Sequence, residues 1–429
     1  MSFTPLFSVA YVMIRPNERS SKRSILFLNR FYWPDVAATG QMLTDLAEDL
    51  AAAGWTVTVV TSLSGYDAAR RSAPTEQLHK EVRILRVGGT AFGRQRTIGR
   101  LLDYLTYFVG SAVRALQCPR HDVYVALTDP PFIIGVALFV ARLKRGKVVY
   151  WVQDLFPQIA AAVGVMKPRT ILYRTLLGIA RWLNARVDLV IALGEQMATS
   201  LARNGAALDR TRVVHNWSDS DAIKSISRED NPFLEEHGLQ GRFVVLYSGN
   251  AGRAHRFDAL IHAAREMQYD KDVVFVFVGG GHCIPQLKME AVGLENVKFL
   301  GYVPREMLSF SLSAASVSVV TEDTRVIGTV VPSKTYGILA SGRPVLFIGG
   351  PDSDVARVVT AAACGLVINE GDGPGVVDAI RRLKSDPELA AVLGANARQA
   401  SVETFDRVHG TRNWERVVLN RLTELARNN

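Results

Sequence analysis

Short runs of apolar and β-branched residues recur along the chain, separated by stretches whose apolar positions repeat at helical spacing. In the first half the runs fall at 25–29, 57–62, 82–87, 122–128, 147–153, 188–193 and 212–215. In the second half they fall at 243–249, 272–279, 297–301, 317–321, 344–349 and 365–369. Most are continuous rather than alternating, as expected for strands buried on both faces of a parallel sheet. Between the first two runs Leu43, Leu46, Ala47 and Leu50 share one helical face, and Asp45, Glu48 and Asp49 fall on the other. Strand and helix alternating in this way predict an α/β fold with doubly wound sheets.

The pattern breaks at 216–233, "NWSDSDAIKSISREDNPF", where polar and turn-forming residues replace both periods. That stretch reads as a linker. It separates residues 24–215 from 234–400, two Rossmann-like domains of similar size facing one another across a cleft. Residues 1–23 read as a loosely held extension, and 401–429 as a helical tail that packs back on the first domain. A length of 429 residues, at roughly 100–200 per domain, allows two or three domains.

Composition adds large cores: 48% of residues are apolar and 21% charged. Cys118, Cys283 and Cys364 stand far apart, without metal-ligand or disulfide spacing, which suits a reducing cytoplasm. The opening run "FTPLFSVAYVMI" has its basic residues after it rather than before it, unlike a signal peptide. The longest later run, 132–141, is too short to span a bilayer.

The net charge of +9 is concentrated. From Arg94 to Arg186 there are fourteen Lys and Arg against four Asp and no Glu, a local surplus of ten. Such a surplus suits a surface facing anions (lipid headgroups, a pyrophosphate-bearing substrate or nucleic acid), with a positive face kept for solubility as the alternative. Nucleic acid is disfavoured, because the basic residues lie on amphipathic helices without a recognition motif. Those helices are predicted at 94–117 and 167–186. In the second, Ile171, Leu172, Leu176, Ile179 and Leu183 form an apolar side, with Tyr173 and Trp182 nearby. Helices of this kind either lie at a membrane surface or pack on a core with a basic outer face.

Ligands of doubly wound sheets bind outside the carboxyl ends of the strands, so the loops there carry the chemistry. After the first strand, Ala37, Ala38, Thr39 and Gly40 are small residues at a helix start. Backbone N–H groups could approach a phosphate there, and a plain tight turn fits equally well. No GxGxxG fingerprint occurs. Gly249 and Asn250 open a second loop, in which Arg253, His255 and Arg256 put cations at a helix entrance and favour a phosphate, with surface arginines on an ordinary helix as the alternative. The turn "VGGGH" at 278–282 lines the same cleft.

In "VPSKTYGILASGRPV" (331–345) Pro332 stops any preceding strand and Ser333 is placed to cap a helix. Lys334 follows on the surface side of the first turn, where a cation suits the helix only if an anion docks beside it. One diphosphate between the two basic helix mouths accounts for both. Asp154 lies directly after the run at 147–153. It is a candidate general base or ligand of a substrate hydroxyl, or the cap of a short helix. His215 reads as structural. No metal-ligand spacing or nucleophile elbow is present.

Five stretches, in this order, resemble the GT-B glycosyltransferases of family four, in particular the bacterial branch that builds surface polysaccharides and O-antigen. They are "FYWPDVAATGQMLTDLAEDLAAAGWTVTVVT", "VQDLFPQIAAAVGV", "YSGNAGRAHRFDALIHAA", "VKFLGYVPREML" and "VPSKTYGILASGRPVL", and the likeness covers residues 25 to 405. It implies transfer of a sugar from a nucleotide diphosphate-sugar to an acceptor hydroxyl, with retention of anomeric configuration and without a metal or other cofactor. Arg253, Arg256 and Lys334 would stabilise the departing diphosphate, Gly40 would approach it from the facing domain, and Asp154 would stand on the acceptor side. Tyr302 and Val303 would border the base.

One departure stands out. Many relatives carry two glutamates eight positions apart, the second touching the donor ribose; Thr329 and Gly337 stand there in this chain. Either the ribose contact comes from elsewhere, with Ser333 and Thr335 as the candidates, or donor binding is weakened. The leading expectation is a glycosyltransferase acting on a lipid-linked acceptor at the cytoplasmic face of a membrane. A nucleotide-sugar 2-epimerase on the same fold and a non-catalytic binding scaffold are the alternatives.

Overall fold

The structure, a computed structural model, describes residues 23–35, 37–63, 73–90 and 97–427. The expected extension at the N-terminus, up to residue 22, and Arg94 of the first basic helix lie outside the described residues.

Eight strands form the first sheet: β1 (Ser24–Leu28), β2 (Thr56–Ser62), β3 (Glu76–His79), β4 (Val82–Val87), β5 (Val123–Ala126), β6 (Lys147–Trp151), β7 (Leu189–Ala192) and β8 (Thr211–Val213). Their spatial order is β3-β4-β2-β1-β5-β6-β7-β8, parallel throughout except for β3 against β4. Ile25 of β1 faces Val57 on one side and Val123 on the other, and β1 is buried from Ile25 to Leu28. The second sheet contains β9 (Phe243–Ser248), β10 (Val273–Val278), β11 (Val297–Leu300), β12 (Val317–Thr321), β13 (Val345–Ile348) and β14 (Gly365–Ile368). Its order is β11-β10-β9-β12-β13-β14 and every pair is parallel. Strand order therefore reverses between β1 and β5 in one sheet and between β9 and β12 in the other. Each reversal opens a crevice at the carboxyl ends of those strands.

Strand β3 has no counterpart among the apolar runs. Its sequence, Glu-Gln-Leu-His, is polar because it is an edge strand with Glu76 and Leu78 exposed. The turn into β4 has Lys80 at φ 43° and Glu81 at φ 63°, the left-handed conformation of a two-residue hairpin. Glycine or asparagine usually marks such a turn, and neither is present.

Helix Ala38–Ala52 buries both of its faces, which corrects the reading of Asp45 and Glu48 as outward-facing. Helix Arg407–Arg427 returns from the end of the chain and covers them. Arg407 ion-pairs with Asp45 at 3.0 Å, Glu48 at 3.2 Å and Asp49 at 2.7 Å. Farther along, Trp414 is fully buried against Phe27 and Trp151, and Trp151 stacks on Trp217 of the segment joining the sheets. The chain crosses between the sheets twice, side by side. Ser218 N donates to Phe405 O on the returning pass, and Arg407 N donates to Ser218 O.

Candidate active site

The carboxyl ends of the two sheets meet across a cleft that is bridged at named points. Asp154 pairs with Val330 as an isolated antiparallel bridge, and Leu155 N donates to Thr329 O at 2.7 Å. Helix Glu195–Arg203 of the first half has Gly194 at its N-cap and no side-chain cap of its own. Asp354, from the second half, supplies one by accepting from Gln196 N at 3.0 Å and Met197 N at 3.4 Å. A Cβ on Gly194 would lie 2.2 Å from that carboxyl carbon, so only glycine admits the contact.

A cavity of about 90 Å³ lies at the junction, lined by Thr39, Gln153, Asp154, Asn216, Val330 and Ser333 among others. Three of the sequence-predicted residues, Thr39, Asp154 and Ser333, thus come together from distant parts of the chain. Gly40 sits beside Thr39, and a Cβ there would meet Phe31 at 3.2 Å, so that Phe31 would have to give by a few tenths of an ångström. Asp154 caps no helix: the short helix Gln158–Ala162 begins after Pro157. Its backbone N–H donates to Thr128 Oγ1 at 3.2 Å. Burial, with Asp129 nearby, pushes the Asp154 carboxyl up to about 6.

On the other side, Gly249 has φ 125° and the side chain of Lys334 lies against it, 3.7 Å from where a Cβ would stand. Lys334 is not on the surface side of its helix. Its ammonium is drawn inward over the Tyr247 ring, 3.9 Å from the centroid, and donates to Tyr247 Oη. Burial lowers its pKa to about 7. His255 Nε2 is 3.3 Å from Lys334 Nζ, and His255 Nδ1 is 2.6 Å from Thr321 O. His255 is therefore not a cation. Burial and the neighbouring Lys334 drive its pKa to about 3.

The remaining predicted residues are placed less simply. Arg253 is exposed at the loop. Arg256 is turned to carboxylates, 3.4 Å from Glu370 and 3.5 Å from Asp258, rather than left open for a phosphate. Asn250 reaches over the glycine turn, where a Cβ on Gly281 would meet its Oδ1 at 2.6 Å. The Tyr302 ring leans on Gly280, and Val303 is half-buried against the core near Phe233. Thr335 cannot take over the ribose, because it is buried and its hydroxyl donates to Pro332 O at 2.9 Å. Ser333 occupies the N-cap position but its side chain caps nothing.

Two residues escaped sequence reasoning. Tyr247 lies inside an apolar strand and carried no signal of its own. Glu322 follows β12 with no periodic context, yet it is buried and its carboxyl is pushed up to about 8 by that burial. Among the described residues no group of three His, Cys, Asp or Glu is placed to hold a metal ion.

Residues 38–217 match the Glycosyl transferase 4-like domain, and residues 230–400 match Glycosyl transferases group 1. The chain belongs to the family-four GT-B glycosyltransferases. The probable glycosyltransferase WbjE of Pseudomonas aeruginosa is 25% identical over 276 residues, covering 63% of this chain and 68% of its own. The putative colanic acid biosynthesis glycosyl transferase WcaI of Escherichia coli K12 is 23% identical, covering 86% of this chain and 90% of its own. Among solved structures, HepE of Anabaena in complex with UDP superimposes with a TM-score of 0.70 at 18% identity, over 92% of this chain and all of that one. At that identity the likeness concerns the fold. This family-four enzyme catalyses glycosyl transfer, which sets aside both the epimerase and the scaffold.

Proposed function

We propose that this glycosyltransferase takes its sugar from a nucleotide diphosphate-sugar and passes it to a hydroxyl of a lipid-linked saccharide, with retention and without a metal. The observation that carries the donor half is Lys334: a lysine sunk at the Gly249 loop and hydrogen-bonded to Tyr247 Oη, which makes no ion pair with a carboxylate among the described residues. A diphosphate leaving group is the anion it fits, and charge developing on that group is stabilised most by a cation already in place. HepE, with the same fold, binds UDP and UDP-glucose. Asp154 then accepts a hydrogen bond from the acceptor hydroxyl. The bond from the sugar's anomeric carbon to the diphosphate oxygen breaks, the acceptor oxygen bonds to that carbon, and its proton passes to the departing diphosphate. Thr329 contributes no ribose contact: its hydroxyl donates to Val326 O at 2.6 Å and its carbonyl holds Leu155.

The acceptor half rests on an inverted helix. Helix Thr97–Gln117 turns Asp103, Tyr107, Ser111 and Ala115 inward and leaves Leu102, Leu105, Val109 and Val113 exposed. Helix Ile134–Lys144 lies beside it with Phe139 and Leu143 exposed, and packs in turn on helix Ile171–Asn184 through Gly135 and Leu183. In the last helix Leu183 is buried as expected, but Ile171 is 84% exposed, with Leu172, Ile179 and Trp182 also outward. Arginines 174 and 181 stand between them. An apolar layer studded with cations suits the surface of an anionic bilayer, and no described helix is long and apolar enough to cross one. Relatives named for colanic acid and lipopolysaccharide biosynthesis support a place in polysaccharide assembly.

The test is a transfer assay with lipid-linked saccharide in anionic vesicles, against a water-soluble acceptor bearing the same sugar. Ile171→Glu with Leu172→Glu is expected to cut transfer to vesicles at least about tenfold and to spare the soluble acceptor. NMR of the product should show the donor's anomeric configuration kept. Equal loss on both acceptors would remove the membrane role, and inversion would remove the mechanism.

A further inference from the structure

Among the described residues, the groups facing Lys334 come from three elements, and none of them is a carboxylate. Tyr247 from β9 receives its hydrogen bond. His255, from the loop after β9, presents Nε2 at 3.3 Å. The carbonyl of Thr321, at the end of β12, takes the Nδ1 proton of His255 at 2.6 Å, so that Nε2 holds a lone pair toward the lysine. Behind Tyr247 stand Cys283 and Tyr302, neither of them a carboxylate. The Tyr247 hydroxyl donates onward to Asn250 O at 3.0 Å, which ties the cluster to the glycine loop. Such a site accepts an ammonium through Tyr247 and His255 but leaves its charge uncompensated until an anion enters.

Building on the donor reading above, we propose that His255 is a positioning residue and that the diphosphate enters this site together with a proton taken up on Lys334 Nζ. The amine gains one proton from solvent and the phosphate supplies the opposing charge. His255 Nε2, as the fixed acceptor, sets the pH at which this exchange occurs. The lowered pKa of Lys334, about 7, agrees with the geometry: burial disfavours the charged form, and a bound anion would restore it. The exposed Arg253 and the carboxylate-paired Arg256 lie outside this switch.

Calorimetric titration with UDP, repeated at each pH in buffers of different ionisation enthalpy, reads the protons bound per nucleotide. Uptake is expected to rise with pH, from a small fraction of a proton on the acid side of neutrality toward one proton on the alkaline side, as Lys334 titrates without the nucleotide. Lys334→Arg, whose charge is fixed, should bind with no uptake above that of the nucleotide itself. His255→Leu removes the acceptor and should move the midpoint down by about one pH unit, while His255→Gln, which keeps an acceptor oxygen, should restore it. A residue that only filled space would leave that midpoint where it is. UDP bound without uptake overturns this proposal and leaves the glycosyl-transfer reading intact. Inorganic pyrophosphate bound with uptake, where UDP fails to bind, supports the proton switch and counts against the nucleotide. If neither binds, both readings fall.

Discussion

Lys334→Ala is expected to lower kcat/KM on the order of 100- to 1,000-fold, the usual cost of removing one preplaced group that stabilises developing negative charge. The loss should appear in kcat as well as KM, because the lysine is matched to a leaving group whose charge grows as the glycosidic bond breaks. Folding should be little affected. Among the described residues the ammonium makes no ion pair, and burial already works against its charge. A thermal melt alongside the kinetics separates the two effects. Unchanged turnover in a folded variant would remove Lys334 from the mechanism.

Asp154→Asn should cost on the order of 100- to 10,000-fold in transfer while leaving nucleoside diphosphate affinity within about twofold. The carboxylate is read as the partner of the acceptor hydroxyl, so the donor side should not notice its loss. Its pKa adds a signature. With the folded value raised to about 6 from the usual 3.8, the native state holds the proton more tightly than the unfolded chain. Stability therefore falls as pH rises through that window, and the penalty is fully present above about 6 and absent below 3.8. The asparagine variant should melt higher than the parent at pH 7 and equally at pH 3.5. In the parent, kcat/KM should fall below about 6 as Asp154 takes up a proton, and above about 7 as Lys334 loses one. A narrow bell results. Lost nucleotide affinity in Asp154→Asn would instead place the carboxylate in the donor site.

The sheets were legible in the sequence because their strands are apolar without interruption, and a strand buried on both faces must be so. What escaped was whatever owes its form to a distant partner. Strand β3 exists because β4 offers an edge, and its polar residues and glycine-free turn gave no sign of it. Asp45 and Glu48 look like surface residues until Arg407 arrives from more than 350 positions away. The same holds in the cleft. Thr39, Asp154, Lys334 and the loop at Gly249 were recognisable as loop chemistry beside strands, which is a local signal. That His255 is neutral, that Lys334 turns inward and that Thr335 points into the core depend on Tyr247, Thr321 and Pro332, whose positions only the folded chain fixes. Likewise the composition of helix Thr97–Gln117 announced an amphipathic helix, but which of its faces would be buried was decided by the sheet beneath it.

A donor site for a nucleotide diphosphate in the second half of the chain underlies the roles assigned to Lys334 and Asp154. The most direct measurement is a thermal-shift series on the folded protein with UDP, GDP, ADP and dTDP, each with and without its sugar, on the parent and on Lys334→Ala. A ligand that binds only the native state raises its melting temperature by mass action. One base should stand out in the parent, and its shift should shrink or vanish in Lys334→Ala. No shift with any of the four in folded protein, or a shift that Lys334→Ala leaves unchanged, would contradict the account.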